Sequence, residues 1–148
     1  RAVVAILGGQ AEEIAERLSM EAYPLGYVSE TKRIVAIYSA VDLFVTPSLS
    51  DNLPNTIMEA MACGVPCVGF KVGGIPEMID HLKNGYVANY CDAADFANGI
   101  RWVLAGADWN ELSAACLRKV HTCYSLTSVS LRYTELYSQA LASKNYKI

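Results

Sequence analysis

Residues 50–79 read SDNLPNTIMEAMACGVPCVGFKVGGIPEMI, and this stretch is the strongest guide to the fold of the chain. Its first part predicts a helix over residues 55–63, which Gly64 ends as a C-terminal cap. A short apolar run at 66–70 then predicts a buried strand. The pair Gly73-Gly74, followed by Ile-Pro-Glu, predicts a tight turn that opens another helix. A helix, a strand and a second helix in so short a stretch are typical of an α/β fold.

The rest of the chain continues this alternation of short apolar strands and helices. Further strands are predicted at 2–7, 23–28, 41–46 and 86–89, and further helices at 11–20, 31–40, 76–81, 92–104, 109–124 and 127–143. On the last helix, one side carries the apolar residues Val129, Tyr133, Leu136, Tyr137 and Ala140. We therefore predict a single doubly wound, Rossmann-like α/β domain over residues 1–148, with a parallel sheet flanked by helices and a helical extension at the C-terminus.

The composition is that of an apolar protein with few charges. Of its 148 residues, 53% are hydrophobic and 18% are charged, which fits either a sheet covered on both faces or a surface that binds a partner. The net charge is −3 and the Lys and Arg residues are scattered, so we expect no nucleic-acid partner. No apolar run reaches the roughly 18–20 residues that cross a bilayer.

The cysteines and the first residues of the chain suggest a cellular location and a longer parent protein. Five cysteines are present without a Cys-x-x-Cys spacing, and most lie in apolar runs. This pattern predicts buried, reduced thiols in a cytoplasmic protein rather than a metal site or disulfides. Arg1 stands directly before a strand-like run, without the charged leader and cleavage site of a secretory signal. We therefore expect an N-terminally truncated fragment of a longer protein.

Three predicted strand ends are followed by loops that suit a ligand, at residues 8–10, 47–54 and 71–76. Ligands of open parallel sheets bind beyond the carboxyl ends of the strands, so we expect these loops along one rim. Gly8 and Gly9 either line the site or only form a tight turn, since the third glycine of the dinucleotide fingerprint is missing. Gly73 and Gly74 allow close backbone approach, either to a ligand or only within a turn.

The loop at 47–54 predicts a helix N-terminus that binds an anion. Pro54 suits the first helical position, where its missing N–H costs nothing. The free amides of Leu53, Asn55 and Thr56 would then cluster at a helix end that carries roughly half a positive charge.

Two carboxylates, Asp51 and Glu59, flank this helix N-terminus. Because carboxylates repel phosphate, we expect them to accept hydrogen bonds from sugar hydroxyl groups. The alternative is purely structural, with Asp51 or Asn52 capping the helix and Glu59 facing solvent. The residues alone leave both interpretations open. Rival chemistries lack their residues, because the sequence has no His-Glu-x-x-His, Gly-x-Ser-x-Gly, P-loop or Asp-x-Asp motif.

Several linked motifs resemble the group 1 glycosyltransferases (family 4) of the GT-B fold. They are VDLFVTPS at 41–48, the stretch 51–66, VGGIPE at 72–77 and NGYV at 84–87. Segments 2–8 and 26–28 also resemble strand ends of that family, so the resemblance covers nearly the whole chain. It implies the C-terminal, donor-binding half of an enzyme that transfers a sugar from a nucleotide-sugar to an acceptor, without a metal and with retention of configuration.

The resemblance also implies roles for individual residues. The family's motif of an acid, seven residues and a glutamate falls on Asp51 and Glu59, which would be the acids of the catalytic site. Asp51 would contact hydroxyl groups of the donor sugar, and Glu59 those of the nucleotide's ribose. The backbone of Asn52 and Leu53 would line the sugar and the diphosphate. Asp51 departs from the usual glutamate and is one methylene shorter, which puts the identity of the sugar in question.

Other implied contacts lie outside this motif. Gly26, Tyr27 and Val28 would meet the base through backbone groups, and Gly8 and Gly9 would face the cleft between the two halves of the enzyme. The family's Arg and Lys that neutralise the diphosphate precede the predicted first strand. We expect them, like the N-terminal acceptor domain, in the longer protein outside this chain. The chain alone is therefore expected to fold but to be inactive.

The expected donor is a UDP- or GDP-linked sugar, and neither a cofactor nor a metal is expected. Two alternatives stay open, a non-catalytic nucleotide-binding module and a nucleotide-sugar epimerase on the same fold. We expect a cytoplasmic location, and peripheral attachment of the longer protein to the inner face of a membrane stays open.

Overall fold

The computed structural model describes residues 2–144, so Arg1 and the end of the predicted 1–148 domain lie outside the described residues. The chain divides into two compact units, with the division between Ile37 and Tyr38. Each unit contains one parallel sheet. The predicted α/β architecture with parallel strands and flanking helices is confirmed, and its strands pair as two sheets.

The first unit holds a two-stranded sheet. Strand β1 (Val4–Leu7) pairs with β2 (Ala22–Gly26), and helix α1 (Ala11–Arg17) connects them. Pro24 lies within β2, where a residue without an N–H is tolerated because the strand has a neighbour on one side only. Helix α2 (Thr31–Ser39) begins in this unit and ends in the second.

The second unit holds a three-stranded sheet in the order β3-β4-β5. Its strands and crossover helices are β3 (Phe44–Thr46), α3 (Asn55–Ala62), β4 (Cys67–Phe70), α4 (Ile75–Met78) and β5 (Gly85–Ala88). Every residue of β4 is buried. Successive side chains of a strand point to opposite faces, so both faces of the sheet are covered at its centre. This burial supports the first of the two explanations of the apolar composition.

Three helices follow the sheet. They are α5 (Ala93–Arg101), α6 (Trp109–Lys119) and α7 (Leu126–Lys144), and α5 and α6 each pass into a π-helical turn, at Trp102–Gly106 and Val120–Tyr124. Asp92 and Asp108 cap α5 and α6 by accepting hydrogen bonds from main-chain amides. Val68 of β4 packs with Val103 and Leu112 in a buried cluster, which joins these helices to the sheet.

Helix α7 is the predicted helical extension. Its apolar side chains at Tyr133, Leu136, Tyr137 and Leu141 are exposed among the described residues. Within residues 2–144, no helix is both long enough and apolar enough to span a membrane.

The five cysteines are all free thiols. Cys67 and Cys116 are buried, and burial raises the pKa of both, that of Cys116 to about 12. These two thiols therefore stay protonated and act as small apolar side chains. The prediction of buried thiols is right for them and wrong for Cys91, which is exposed.

Candidate functional site

Two of the three predicted loops meet at the carboxyl edge of the second sheet. Loops 47–54 and 71–74 follow the neighbouring strands β3 and β4. The main-chain N–H of Gly74 donates to the main-chain carbonyl of Asn52 at 2.5 Å. The common rim is thus confirmed for these loops. Loop 8–10 follows β1 in the other sheet, and its place on that rim stays a prediction.

Gly73 and Gly74 are required by this junction of loops. A Cβ on Gly73 would lie 1.6 Å from the carbonyl oxygen of Asp51, and one on Gly74 would lie 2.3 Å from that of Asn52. Gly73 also has φ +52°, in the left-handed region that favours glycine. The close approach predicted for these glycines is therefore made to the neighbouring loop. It holds the backbone of Asp51 and Asn52 in place.

Helix α3 begins at Asn55, and Pro54 occupies the N-cap position with φ −65° and ψ 118°. The prediction that Pro54 is the first helical residue is wrong by one position, because its ψ is extended. No side chain in the described part of the chain caps this helix. The alternative in which Asp51 or Asn52 serves as the cap is therefore wrong as well.

The start of α3 is open to solvent. Leu53, Asn55 and Thr56 are exposed, and the first turn of α3 carries no acidic residue. The unpaired amides of a helix N-terminus, together with the helix dipole, favour an anion at such a position. Asp51 precedes this end and is half-buried, and its carboxylate makes no hydrogen bond or ion pair with residues 2–144. Its oxygens are therefore available to a ligand.

Glu59 lies one turn into α3 and has a protein partner. The hydroxyl of Tyr38, at the end of α2, donates to Oε2 of Glu59 at 3.4 Å. Burial, and next the Glu59 carboxylate, hold the pKa of Tyr38 well above its ordinary value. Glu59 is half-buried, so the alternative in which it simply faces solvent is wrong.

The contact of Tyr38 with Glu59 was not predicted from the sequence. The available signal was its place on the apolar face of the predicted helix 31–40. A tyrosine on such a face has to find a partner for its hydroxyl when it is buried.

The remaining predicted residues lie at the carboxyl ends of β1 and β2. The N–H of Gly8 donates to the carbonyl of Gly26 at 2.9 Å, so the structure brings these two together. Nothing lies within 4 Å of the position that a Cβ would take on Gly8, Gly9 or Gly26. Tyr27 is 84% exposed and Val28 is half-buried. This edge of the first unit is open, and the contacts of its residues with a nucleotide base stay a prediction.

Comparison with known proteins identifies the family. Residues 1–106 match the family model of the group 1 glycosyl transferases, and this range includes both joined loops and helix α3. The chain belongs to the group 1 glycosyltransferases. The resemblance carried by the sequence motifs is thereby confirmed.

Curated relatives of this chain are longer proteins. N-acetyl-alpha-D-glucosaminyl L-malate synthase of Bacillus anthracis is 27% identical over 124 residues, which cover 82% of this chain and 32% of the relative. Sulfoquinovosyl transferase SQD2 of Arabidopsis thaliana is 31% identical over 108 residues, which cover 70% of this chain and 21% of the relative. The chain thus spans a third or less of the length of these two relatives.

Solved structures show the same fold. Sucrose-phosphate synthase from Thermosynechococcus elongatus superposes with a TM-score of 0.76 at 26% identity, over 90% of this chain and 34% of that one. HepE from Anabaena, in complex with UDP and glucose, superposes with a TM-score of 0.73 at 20% identity, over 91% of this chain and 40% of that one. The fold of this glycosyltransferase is therefore that of one half of a GT-B enzyme.

Surface grooves of the described residues include two that lie outside residues 47–62. One, of about 1000 Å³, runs along α6 and the π-helical turn after α5, with Trp102 and Arg118 among its lining residues. The other, of about 500 Å³, lies beside α4 and β5. Neither is lined by a residue of the range 47–62. The joined loops and the exposed start of α3, at the carboxyl edge of the second sheet, form the candidate site, which we call the shelf.

Proposed function

We propose that this chain is the donor-binding half of an enzyme that transfers a sugar from a nucleotide-sugar to an acceptor. One observation carries the proposal, the bond between Gly74 and Asn52 that fixes the loop before α3. That loop presents Asp51 on one side of the uncapped start of α3, and Glu59 follows one turn later. The residues that bind the acceptor belong to a second half of the enzyme. This division agrees with the match to the malate synthase, because the chain covers only 32% of the length of that relative.

Each part of the shelf has a task in this proposal. The start of α3 binds the diphosphate through the amides of Asn55 and Thr56. Asp51 accepts hydrogen bonds from the hydroxyl groups of the sugar, and Glu59 accepts them from the ribose of the nucleotide. The backbone of Asn52 and Leu53 lines the space between sugar and diphosphate. Residues 26–28 and the Gly8-Gly9 turn belong to the first unit, and their contacts with the base and the cleft stay predictions.

The chemistry follows from where charge develops. The bond between the anomeric carbon and the diphosphate oxygen breaks, and negative charge builds up on the departing diphosphate. The oxygen of the acceptor hydroxyl bonds to the anomeric carbon, and its proton passes to the diphosphate. Preorganised amides at a helix N-terminus stabilise such charge. The absence of an Asp-x-Asp motif from the sequence supports transfer without a metal. Retention of configuration and a UDP- or GDP-linked donor complete the proposal, and the UDP complex of HepE favours UDP.

The test uses the full-length protein, meaning the longer protein to which we propose this chain belongs. It is titrated calorimetrically with UDP and GDP, and nucleoside diphosphate release is followed with a panel of nucleotide-sugars. We expect Glu59→Gln to weaken binding of the preferred nucleotide about 10- to 100-fold, because hydrogen bonds to charged groups contribute roughly 1.5–3 kcal/mol. Glu135→Gln is the matched control, since Glu135 is exposed on α7.

The outcomes separate the rival functions. Tight nucleotide binding without release of nucleoside diphosphate from any donor and acceptor identifies a binding module. An altered sugar that is still attached to its nucleotide identifies an epimerase. Unchanged nucleotide affinity in Glu59→Gln rejects the proposed site.

A further inference from the structure

We propose that Tyr38 is a positioning residue that holds one carboxylate oxygen of Glu59 in place. The other oxygen is then oriented to accept a hydrogen bond from the ribose, and this bond makes the site prefer nucleotides that carry ribose hydroxyl groups. This inference rests on the proposed function, in which Glu59 binds the ribose. The observation behind it is a contact within the second unit, between Tyr38 in the last turn of α2 and Glu59 in α3.

Tyr38 is itself rigidly held. Only 2% of it is exposed, and its ring packs edge to face against Phe44 of β3, with the ring centroids 5.7 Å apart. The main-chain carbonyl of Tyr38 accepts a hydrogen bond from Val41 at 3.3 Å, which anchors the end of α2. This packing fixes the ring and therefore the position of the hydroxyl oxygen. Tyr38 is therefore a fixed donor next to a flexible acidic side chain.

The direction of the hydrogen bond is settled by the charges. Burial and the Glu59 carboxylate both raise the pKa of Tyr38, so its hydroxyl keeps its proton at neutral pH. The carboxylate of Glu59 can only accept, and it does so through Oε2. Oε1 of Glu59 makes no hydrogen bond with the described residues. Its remaining lone pairs are thus the ones available to a hydroxyl group of a ligand.

The distance sets the size of the effect. At 3.4 Å the bond is longer than the 2.5–2.7 Å of strong O–H···O⁻ bonds, so its direct contribution is modest. Its main effect is to immobilise the Glu59 side chain, because immobilising one flexible side chain at a binding site changes affinity by about 3- to 10-fold. In the proposed function the ribose is remote from the bond that breaks, so loss of the Tyr38 hydroxyl should raise KM and leave kcat unchanged.

A purely structural tyrosine would behave differently. Loss of packing would weaken the binding of all nucleotides alike. Loss of a positioning hydroxyl weakens the binding of nucleotides that carry ribose hydroxyl groups and spares analogues without them, because a hydrogen-bonding site discriminates against ligands that lack its partner group.

The experiment compares UDP and GDP with their 2′,3′-dideoxy analogues on the full-length protein, by calorimetric titration. Tyr38→Phe retains the ring and removes only the hydroxyl. We expect it to lower the preference for the ribonucleotide over its dideoxy analogue about 3- to 10-fold, with unchanged affinity for the analogue. The unchanged affinity also shows that the variant is folded. Tyr133→Phe, an exposed tyrosine of α7, serves as the control and should keep the full preference.

Combining variants distinguishes this inference from the proposed function. Glu59→Gln should abolish most of the preference, and adding Tyr38→Phe to it should have no further effect. If Glu59→Gln lowers the preference and Tyr38→Phe does not, the inference is wrong and the proposed function stands. Equal weakening of ribonucleotide and dideoxy analogue by Tyr38→Phe also overturns the inference. An unchanged preference in Glu59→Gln, or no binding of either nucleotide by the unsubstituted protein, overturns the proposed function.

Discussion

The main-chain N–H of Gly74 and the main-chain carbonyl of Asn52 are joined across 2.5 Å, so the loop after β4 fixes the shape of the loop after β3. The two loops come from strands that are neighbours in space and are separated in sequence by the whole of α3. Residues of the candidate site therefore depend on glycines that touch no ligand in the proposed mechanism.

Gly73→Ala tests this dependence. The new methyl group would clash with the carbonyl oxygen of Asp51, and the left-handed φ of Gly73 adds backbone strain. We expect the free energy of unfolding, measured by urea denaturation, to fall by about 1–3 kcal/mol. Affinity for the nucleotide-sugar should fall as well, because the loop that carries Asp51 has to move.

Gly106→Ala is the control for the glycine substitution. Gly106 lacks a left-handed φ, and the nearest atom to its new Cβ would be Cδ1 of Trp102 at an ordinary 3.4 Å. The free energy of unfolding of the Gly106→Ala variant should be unchanged or slightly raised, and its affinity for the donor should be unchanged. Wild-type donor affinity in Gly73→Ala would show that the loop junction does not support the site.

Asp51→Asn should change the choice of sugar and little else. The carboxylate makes no hydrogen bond within the described chain, so we expect the free energy of unfolding to stay within about 0.5 kcal/mol of the wild type. Affinity for UDP or GDP alone should stay the same. The ratios of kcat/KM among nucleotide-sugars should shrink, because a neutral amide holds hydroxyl groups less strongly than a carboxylate.

Asp51→Glu completes the comparison, since it restores the longer acid usual in the family. It should re-rank the same donors instead of making the enzyme less selective. The role given to Asp51 is refuted if Asn at this position weakens the binding of the bare nucleotide as much as that of the nucleotide-sugar.

Gly64→Ala should destabilise the end of α3 for two separable reasons. Gly64 has φ +76°, and its N–H and that of Val65 donate to the carbonyls of Met61 and Ala60, which is a Schellman cap. A Cβ would also lie 2.6 Å from Oγ of Ser113 on α6. We expect a loss of about 1–3 kcal/mol in urea denaturation.

A second substitution separates strain from the steric clash. Ser113→Ala removes the oxygen that Gly64→Ala would meet, so the double variant should recover the part of the loss that comes from the clash. The part that remains measures the left-handed backbone. Full recovery in the double variant would show that backbone strain contributes nothing.

Asp95→Asn should flatten the dependence of stability on pH in acid. The carboxylate of Asp95 accepts hydrogen bonds from the main-chain N–H of Asn89 and from the hydroxyl of Tyr86, each at 2.7 Å. These bonds lower the pKa of Asp95 in the folded protein. A lowered pKa stabilises the folded state above the unfolded value near 4, and this stabilisation is lost as the pH falls through the folded pKa.

The measurement is the melting temperature at pH 6 and at acid pH below about 4. The wild type should lose more stability between the two than Asp95→Asn does. Asp42→Asn, at an exposed carboxylate without a hydrogen bond in the described chain, should follow the wild type. Parallel curves for wild type and Asp95→Asn would refute the prediction.

Elements that depend on local signals were predicted well from the sequence. The helix at 55–63 and its cap at Gly64 follow from apolar spacing and from a glycine that adopts a left-handed φ. The strand at 66–70 follows from an unbroken apolar run that the structure buries completely. The strand at 41–46 was predicted too long, since only Phe44–Thr46 pairs with β4.

Features that depend on contacts between residues distant in the chain could not be predicted from local sequence signals. Nothing near Gly73 indicates that its neighbour is the carbonyl of Asp51, and nothing near Glu59 indicates a partner at Tyr38. The division of the strands between two sheets, and the π-helical turns that continue α5 and α6, likewise arise from tertiary packing. The loops of the candidate site could be predicted from the sequence, whereas the contacts that support them are visible only in the structure.

The bond between Gly74 and Asn52 uses main-chain atoms only, and this has an evolutionary consequence. The side chains at positions 51–53 are not needed to hold their own loop, so they can be exchanged while the loop keeps its path. Asp51 can therefore stand where the family resemblance implies a glutamate, without loss of the fold. In the proposed function, single substitutions at these positions would change the preferred donor, provided that Gly73 and Gly74 are kept.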